Sequence, residues 1–347
     1  MEPIKLGIVG LGRAGWDMHC RELESRKDKF QIVAVYDLLP ERCQRAVERY
    51  GCKAYSSIEE LVADPQVEIV DIATRSIDHF QHAKMALEAG KSVFLEKPMC
   101  VTYRQAKALV ELANQAPGEL YVRHNRRFEP AFQYIREVIE SGILGEVYEV
   151  KLCRVFYQRR DDWQTLKKYG GGLLLNWGPH IIDHGLQLLG APVKEMWSSL
   201  KRVAAAGDAE DYLKIVLRGE NDRVVDIEIS GGVALPAPEY VVWGTKGALE
   251  CADEKVAKLR YLDPQVPLPP RVASDGTPTG YGTPEDLPWI EESKPAQPSQ
   301  PVRMDMIWDA LYSAVREGKP FPITLEEALQ VMWVISEAKK GTPFAEE

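Results

Sequence analysis

The chain has 347 residues, 45% apolar and 27% charged, which are the proportions of a soluble globular protein long enough for two domains with a sizeable core. A net charge of −9 argues against nucleic acid or an anionic membrane surface as the main partner, because both reward positive charge. No run of about 18 apolar residues marks a membrane span, and "MEPIKLGIVG" enters a strand-like run without the regions of a signal peptide. Cys20, Cys43, Cys52, Cys100, Cys153 and Cys251 form no CxxC pair. They read as reduced, mostly buried thiols in a reducing, cytoplasmic compartment, not as a zinc site or disulfide framework.

In chain order, "KLGIVGL" reads as a buried strand, followed by "QIVAVYD" (31–37), "VEIVDIAT" (67–74), "SVFLEKP" (92–98) and "ELYVRH" (119–124). Helical patterns lie between them. Ser56 with Glu59 and Thr102 with Gln105 have the form of capping boxes, and Gly90 stands where glycine closes a helix. Short apolar strands alternating with helices predict a parallel sheet covered on both faces. After about residue 124 the rhythm changes. "PAFQYIREVIESG" is one more helix, closed by Gly142, and "GEVYEVKLCRVFY" is a long alternating strand. Strand-like runs such as "DYLKIVLRG", "RVVDIEISGG" and "EYVVWGT" fill the region to about 262. The segment 263–302 holds ten of the 23 prolines and reads as an irregular, extended excursion. "MDMIWDALYSAVREG" and "TLEEALQVMWVISEAKK" return to helix. The expected fold is an α/β Rossmann domain over residues 1–124 and an α+β domain over 125–347 with a large, mostly antiparallel open sheet, the C-terminal helices packing back on the first domain.

"GIVGLGRAG" places Gly10, Gly12 and Gly15 directly after a strand and ahead of a helix. Such glycines allow a tight turn, close approach to a pyrophosphate and close helix–strand packing, with the phosphates held at the helix N-terminus by Arg13, Ala14 and Gly15. The bland alternative is a tight turn alone. Asp37 ends the second strand, where a carboxylate accepts both ribose hydroxyls of NAD and repels the 2′-phosphate of NADP, so NAD is the expected cofactor. Arg42, a turn into the next helix, ranks below it; a solvated turn residue is the alternative for Asp37.

Glu96-Lys97-Pro98 ends a strand of the parallel sheet, where the ligand crevice lies. Together with the glycine loop, "ATRSIDH" (73–79), "HNRRFEPAF" (124–132), "GEVYEV" and "GGGLLLNWGPHIID" (170–183), these residues make the chain resemble the Gfo/Idh/MocA oxidoreductases over nearly its whole length. The resemblance implies NAD or NADP and hydride transfer to or from a sugar, cyclitol or related polyol. It implies that Lys97 stands between substrate and nicotinamide, that His180 is the proton acceptor, and that Pro98 is cis. It places Thr74, His79, Glu96, Lys97, Pro98, Asn125 and Arg127 beside the cofactor, with Arg127 also near the substrate or else in a structural ion pair. It also implies a homodimer or homotetramer formed through the second sheet.

Asn176 departs from the family, which usually has aspartate there. On a helix Asn176 and His180 share a face, so the amide would orient the imidazole and touch substrate, although Pro179 must stand in a first turn or at a kink. Asp183 is a substitute partner for His180 or a helix-surface residue, and His184 packs. Gly170, Gly171 and Gly172 would let backbone approach substrate or cofactor closely. Arg75, where relatives usually have proline, reaches the cofactor or solvent. Tyr157, Arg160, Asp162 and Trp163 are groups that hold a polyol, or are merely a solvated loop. His79 and His82 lack the carboxylates of a metal site, and no metal is expected. Two other readings of the same residues stand: elimination or epimerisation with tightly held NAD, and a catalytically silent sugar- and NAD-binding regulator.

Overall fold

The computed structural model describes residues 2–273, 275–277 and 284–345. Six strands form the first sheet: β1 (Ile4–Val9), β2 (Phe30–Tyr36), β3 (Lys53–Ala54), β4 (Ile69–Ile72), β5 (Ser92–Glu96) and β6 (Leu120–Arg123). All pair in parallel in the order β3-β2-β1-β4-β5-β6. Both faces of β4, β5 and β6 are buried, which is why their sequences are continuous apolar runs and not alternations. The chain leaves β1 toward β2 on one side and later returns to β4 on the other, so a crevice opens beyond the carboxyl end of β1. That is where the glycine loop lies.

Eight strands form the second sheet: β7 (Val147–Val155), β8 (Val193–Lys201), β9 (Tyr212–Gly219), β10 (Val224–Ser230), β11 (Tyr240–Gly244), β12 (Gly247–Cys251), β13 (Val256–Leu262) and β14 (Trp289–Pro295). Their order is β14-β13-β12-β11-β7-β10-β9-β8, antiparallel except for the β7–β10 pair. The helix Gly178–Leu189 lies on one face. It approaches so closely that a Cβ on Gly185 would come within 2.8 Å of the Ile227 side chain. Tyr148 and Trp197 on this sheet remain about half exposed.

The fold class is the one the sequence predicts, with local differences. The two-residue edge strand β3 is too short to leave an alternation. The helix Ile58–Ala63 is capped by Ser57, whose side chain accepts from Glu60 N–H, one residue later than the expected Ser56 and Glu59 pair. The proline-rich segment contains the edge strand β14, compatible with its flanking prolines because an edge leaves N–H positions unpaired. The Thr102–Gln105 capping box and the glycine stops at Gly90 and Gly142, both at positive φ, are present as read. The helix Ile307–Glu317 packs against the first sheet, with Trp308 fully buried between Phe30, Phe94 and His19. Among the described residues, no helix is long and apolar enough to cross a membrane.

Candidate active site

The three loop glycines have different reasons to be glycine. Gly10 has φ +95°, and a Cβ there would come within 2.7 Å of Ala73 O; a Cβ on Gly15 would fall 1.9 Å from Gly10 O. Those two are required by the protein's own packing. A Cβ on Gly12 would meet only Arg42 Nη1, at an ordinary 3.7 Å. The polypeptide leaves open space above Gly12, at the start of the helical segment Arg13–Cys20, whose first N–H groups have no intrahelical partner. A pyrophosphate fits that arrangement, and Gly12, Arg13 and Ala14 would hold it.

Asp37 follows β2 with its carboxylate turned to the loop. Oδ2 accepts from Leu11 N–H at 2.6 Å and Oδ1 from Leu39 N–H at 2.9 Å. Arg42 Nη1 lies 3.4 Å from Oδ2, so the carboxylate is braced and has a cation beside it. It is thus no solvated turn residue.

Lys97 follows β5 and is joined to Pro98 by a cis peptide bond. Its Nζ donates to Asn176 O at 2.9 Å, reaching across from the first sheet to the polypeptide that carries His180. Burial, with Arg13, Arg126 and Arg123 nearby, lowers its pKa to about 8 against the opposing pull of Glu96. Glu96 itself turns inward. Its Oε1 accepts from Arg123 at 2.8 Å and lies 3.0 Å from His19 Nε2, and its Oε2 accepts from Lys97 N–H at 3.0 Å. His79 is likewise buried, with Nδ1 2.7 Å from Pro98 O and Nε2 3.2 Å from Thr74 O. Burial lowers its pKa, so a neutral ring donates to the nearer carbonyl. Thr74 Oγ1 is paired with His82 at 3.2 Å. The polar side-chain atoms of Glu96 and His79, expected beside the cofactor, are thus engaged within the protein, where they brace the lysine's loop.

The glycine triplet is also corrected. A Cβ on Gly170 (φ +69°) would come within 2.8 Å of Val101, one on Gly171 within 2.7 Å of Gln164 O and Leu166 N, and one on Gly172 (φ +110°) within 2.1 Å of Glu210. What approaches this backbone is protein on three sides, not a ligand. Glu210, a residue that sequence reasoning missed, caps the short helix Leu173–Asn176 by accepting from Leu174 N–H at 3.0 Å. Burial raises its carboxyl to about 7.

Asn176 ends that short helix, and His180 lies in the first turns of the next, Gly178–Leu189, with Pro179 at its start. The two residues thus do not lie on one continuous helix. Asn176 Nδ2 donates to Gln164 Oε1 at 3.2 Å, and Gln164 also accepts from Arg160. His180 is nine-tenths buried, and its Nδ1 has no hydrogen-bond partner. Burial, reinforced by Lys97 and Arg126, holds its pKa well below 6.5, so the ring is neutral at neutral pH. The expected orienting bond from Asn176 to His180 is absent among the described residues.

Asp183 is neither a surface residue nor a partner of His180. Its two oxygens accept from Arg127 Nε at 2.8 Å and Nη2 at 2.7 Å, while Arg127 Nη1 reaches Glu327 at 2.9 Å and Pro322 O at 3.0 Å. Arg127 is buried and its fork is filled, which corrects its expected ligand role to that of a structural ion pair. Asn125 is buried beside it, at the start of the turn Asn125–Phe128. His184 stacks on Phe132 at 3.9 Å and packs, as expected. His124, overlooked in "HNRRF", is a second buried imidazole with an unpartnered Nδ1, close enough to Lys97 and Asp183 to feel both charges. Arg75 stacks over Tyr169 at 4.7 Å and faces Asp78, so its guanidinium braces the loop before the triplet. In the loop above the site, Arg160 and Asp162 pair at 2.8 Å, Trp163 is half-buried and Tyr157 is exposed.

The chain matches two family patterns: the oxidoreductase family with NAD-binding Rossmann fold over residues 4–124, and the GFO/IDH/MocA C-terminal domain over 132–250. It is 32% identical to the uncharacterized oxidoreductase YdgJ of Escherichia coli, over 71% of this chain and 70% of that protein. It is 26% identical to the scyllo-inositol 2-dehydrogenase (NADP(+)) IolW of Bacillus subtilis, over 99% and 94%. An NAD-binding protein from Listeria innocua superposes with a TM-score of 0.85 at 26% identity, covering 99% of this chain and 98% of that one. With a nucleotide loop, a cross-cleft lysine and a buried histidine carried on that two-sheet frame, the chain is an oxidoreductase belonging to the GFO/IDH/MocA family.

Proposed function

We propose that the protein is a nicotinamide-dependent dehydrogenase acting on a hydroxyl-bearing carbon of a sugar, cyclitol or related polyol, with NAD preferred over NADP. The observation that carries this reading is the Lys97–Asn176 O contact of 2.9 Å. It brings an ammonium group to the polypeptide whose next turn presents a neutral, buried imidazole at His180. When bound, the nicotinamide supplies the hydride acceptor or donor. His180 takes the hydroxyl proton, which a neutral ring does and an imidazolium does not. Lys97 stabilises the negative charge that develops on the same oxygen. Arg160, Asp162, Tyr157 and Trp163 present polar groups and an indole to the substrate hydroxyls and C–H face, with Gln164 linking Arg160 to Asn176.

The preference for NAD rests on Asp37, whose charge opposes a 2′-phosphate; Arg42 beside it makes the discrimination modest. Residues 1–124 are read as the nucleotide-binding unit and 125–347 as the substrate unit. The open sheet face bearing Tyr148 supports a homodimer or homotetramer, and six free cysteines support a reducing, cytoplasmic setting.

The test is absorbance at the reduced nicotinamide band with NAD⁺ and then NADP⁺ against cyclitols, aldoses, glycosides and sugar acids, beside Lys97→Met. Reduction by the unmodified protein alone supports the reading. Identical behaviour of protein and variant toward every substrate overturns the catalytic assignment.

A further inference from the structure

Behind Lys97 lies a buried network that the dehydrogenase reading does not use. His19, on the helical segment after the glycine loop, is fully buried. Its Nδ1 is 2.8 and 3.0 Å from the two oxygens of Asp71, and its Nε2 is 3.0 Å from Glu96 Oε1. The same Glu96 oxygen accepts from Arg123 Nη1 at 2.8 Å. Arg123 Nη2 reaches Glu22 Oε2 at 2.6 Å, and that oxygen takes the Trp308 indole N–H at 2.7 Å. Glu96 Oε2 holds the Lys97 main-chain N–H at 3.0 Å. Glu96 thus joins the lysine's main chain directly to His19 and Arg123, and through them to Asp71, Glu22 and Trp308.

A carboxylate only accepts, and each ring nitrogen of His19 faces one, so both nitrogens serve as donors and the ring is an imidazolium. The facing groups are Asp71 from β4, Glu96 from β5 and Arg123 from β6, with Trp308 edge-on at 5.5 Å. Burial and Arg123 oppose the charge, but the two carboxylates prevail and push the pKa up to about 9.

We propose that His19, held as an imidazolium between Asp71 and Glu96, is a positioning residue for Lys97. It fixes the Glu96 carboxylate that anchors the lysine's main chain, and it ties that anchor to the first helix of the nucleotide loop. The proposal rests on the reading of Lys97 as the amine that meets the reacting oxygen. Without the imidazolium, Asp71, Glu96 and Glu22 face Arg123 alone. Glu96 then holds the Lys97 N–H less firmly, and the loss of one buried positive charge leaves the carboxylates near the amine less compensated, which raises its pKa.

The test uses the full chain and two readouts that need no substrate. In the unmodified protein, nitrogen-15 NMR of labelled histidine reports the protonation of His19, and competitive acetylation against pH, read by peptide mass spectrometry, reports Lys97. Both His19 ring nitrogens should carry protons at pH 7, and Lys97 labelling should show a second inflection near pH 9 as His19 titrates. In His19→Gln the midpoint of Lys97 labelling should move upward, and kcat should fall at least tenfold with little change in KM. A neutral His19 at pH 7 overturns the proposal even if the variant fails to fold, and so does an unmoved labelling midpoint in a folded variant. If Lys97→Met retains dehydrogenase activity while His19→Gln still shifts the labelling, the dehydrogenase role of Lys97 fails and the linkage from His19 to Lys97 stands.

Discussion

Lys97 Nζ donates to the main-chain oxygen of Asn176 at 2.9 Å, so the lysine of one sheet is held by the segment that carries the histidine of the other. Two titrations follow from this joint. Lys97 must keep its proton to stabilise an alkoxide, and its pKa is lowered to about 8, chiefly by burial. His180 must be free of its proton to act as base, and burial with Lys97 and Arg126 holds it well below 6.5. The value of kcat/KM for alcohol oxidation should therefore be level between these limits and fall as pH rises through about 8. Lys97→Met should remove the alkaline limb and lower kcat/KM by about 10²–10³ or more, the scale for a lost charge-stabilising donor. A pH–rate series of both proteins checks this.

Asn176→Asp separates the amide's present role from the one the family's aspartate plays. The amide now donates to Gln164 Oε1 at 3.2 Å. A carboxylate cannot donate and is repelled by that oxygen, so it leaves Gln164 and adds a negative charge to the segment that runs into His180. A negative charge there raises the histidine's pKa by about one unit or more. The acid limb of kcat/KM should move to higher pH by that amount, while activity at pH 8 is retained or increased. An unmoved acid limb means that position 176 does not communicate with the imidazole.

Much of the frame was legible because its signals are local. The glycine loop, the strand ending at Asp37 and the capping box at Thr102 each depend on residues within one strand–turn–helix unit. The roles of Arg127 and Glu96 were not legible, because they are set by partners far along the chain: Arg127 by Asp183 and Glu327, Glu96 by His19 and Arg123. A side chain drawn near a cleft by motif reasoning can point either way out of the backbone, and only the distant partner decides. Asn176 and His180 show the same limit. Their spacing of four predicts a shared face, but the helix break before Gly178 lies between them, and Gln164, which claims the amide, carries no motif.

Arg127→Met tests the structural reading of that arginine. The substitution keeps much of the side-chain volume and leaves Asp183, 2% exposed, without its bidentate partner. Removing one member of a buried ion pair costs about 3–5 kcal/mol. Urea unfolding should show a loss of that size, while nucleotide affinity of the folded fraction should change less than about threefold, under 1 kcal/mol. A variant of ordinary stability that fails to bind nucleotide would return Arg127 to the cofactor site.

Gly12→Ala and Gly15→Ala should behave oppositely although the residues are three apart in one motif. At Gly12 the backbone has φ −76°, which alanine adopts freely, and its Cβ would have only Arg42 at 3.7 Å. Stability should be unchanged within about 0.5 kcal/mol, as for other substitutions that meet no steric conflict. The new methyl would occupy the space in which a pyrophosphate must approach the backbone, so nucleotide affinity measured by calorimetry should fall at least about tenfold, or 1.4 kcal/mol. At Gly15 the Cβ would lie 1.9 Å from Gly10 O, a separation no side chain tolerates, and both the first turn of the helix and the end of β1 must shift. That variant should lose several kcal/mol, on the scale of an overpacked core, and unfold at a visibly lower urea concentration. If Gly12→Ala binds nucleotide as tightly as the unmodified protein, the open space above Gly12 is not where the phosphates lie.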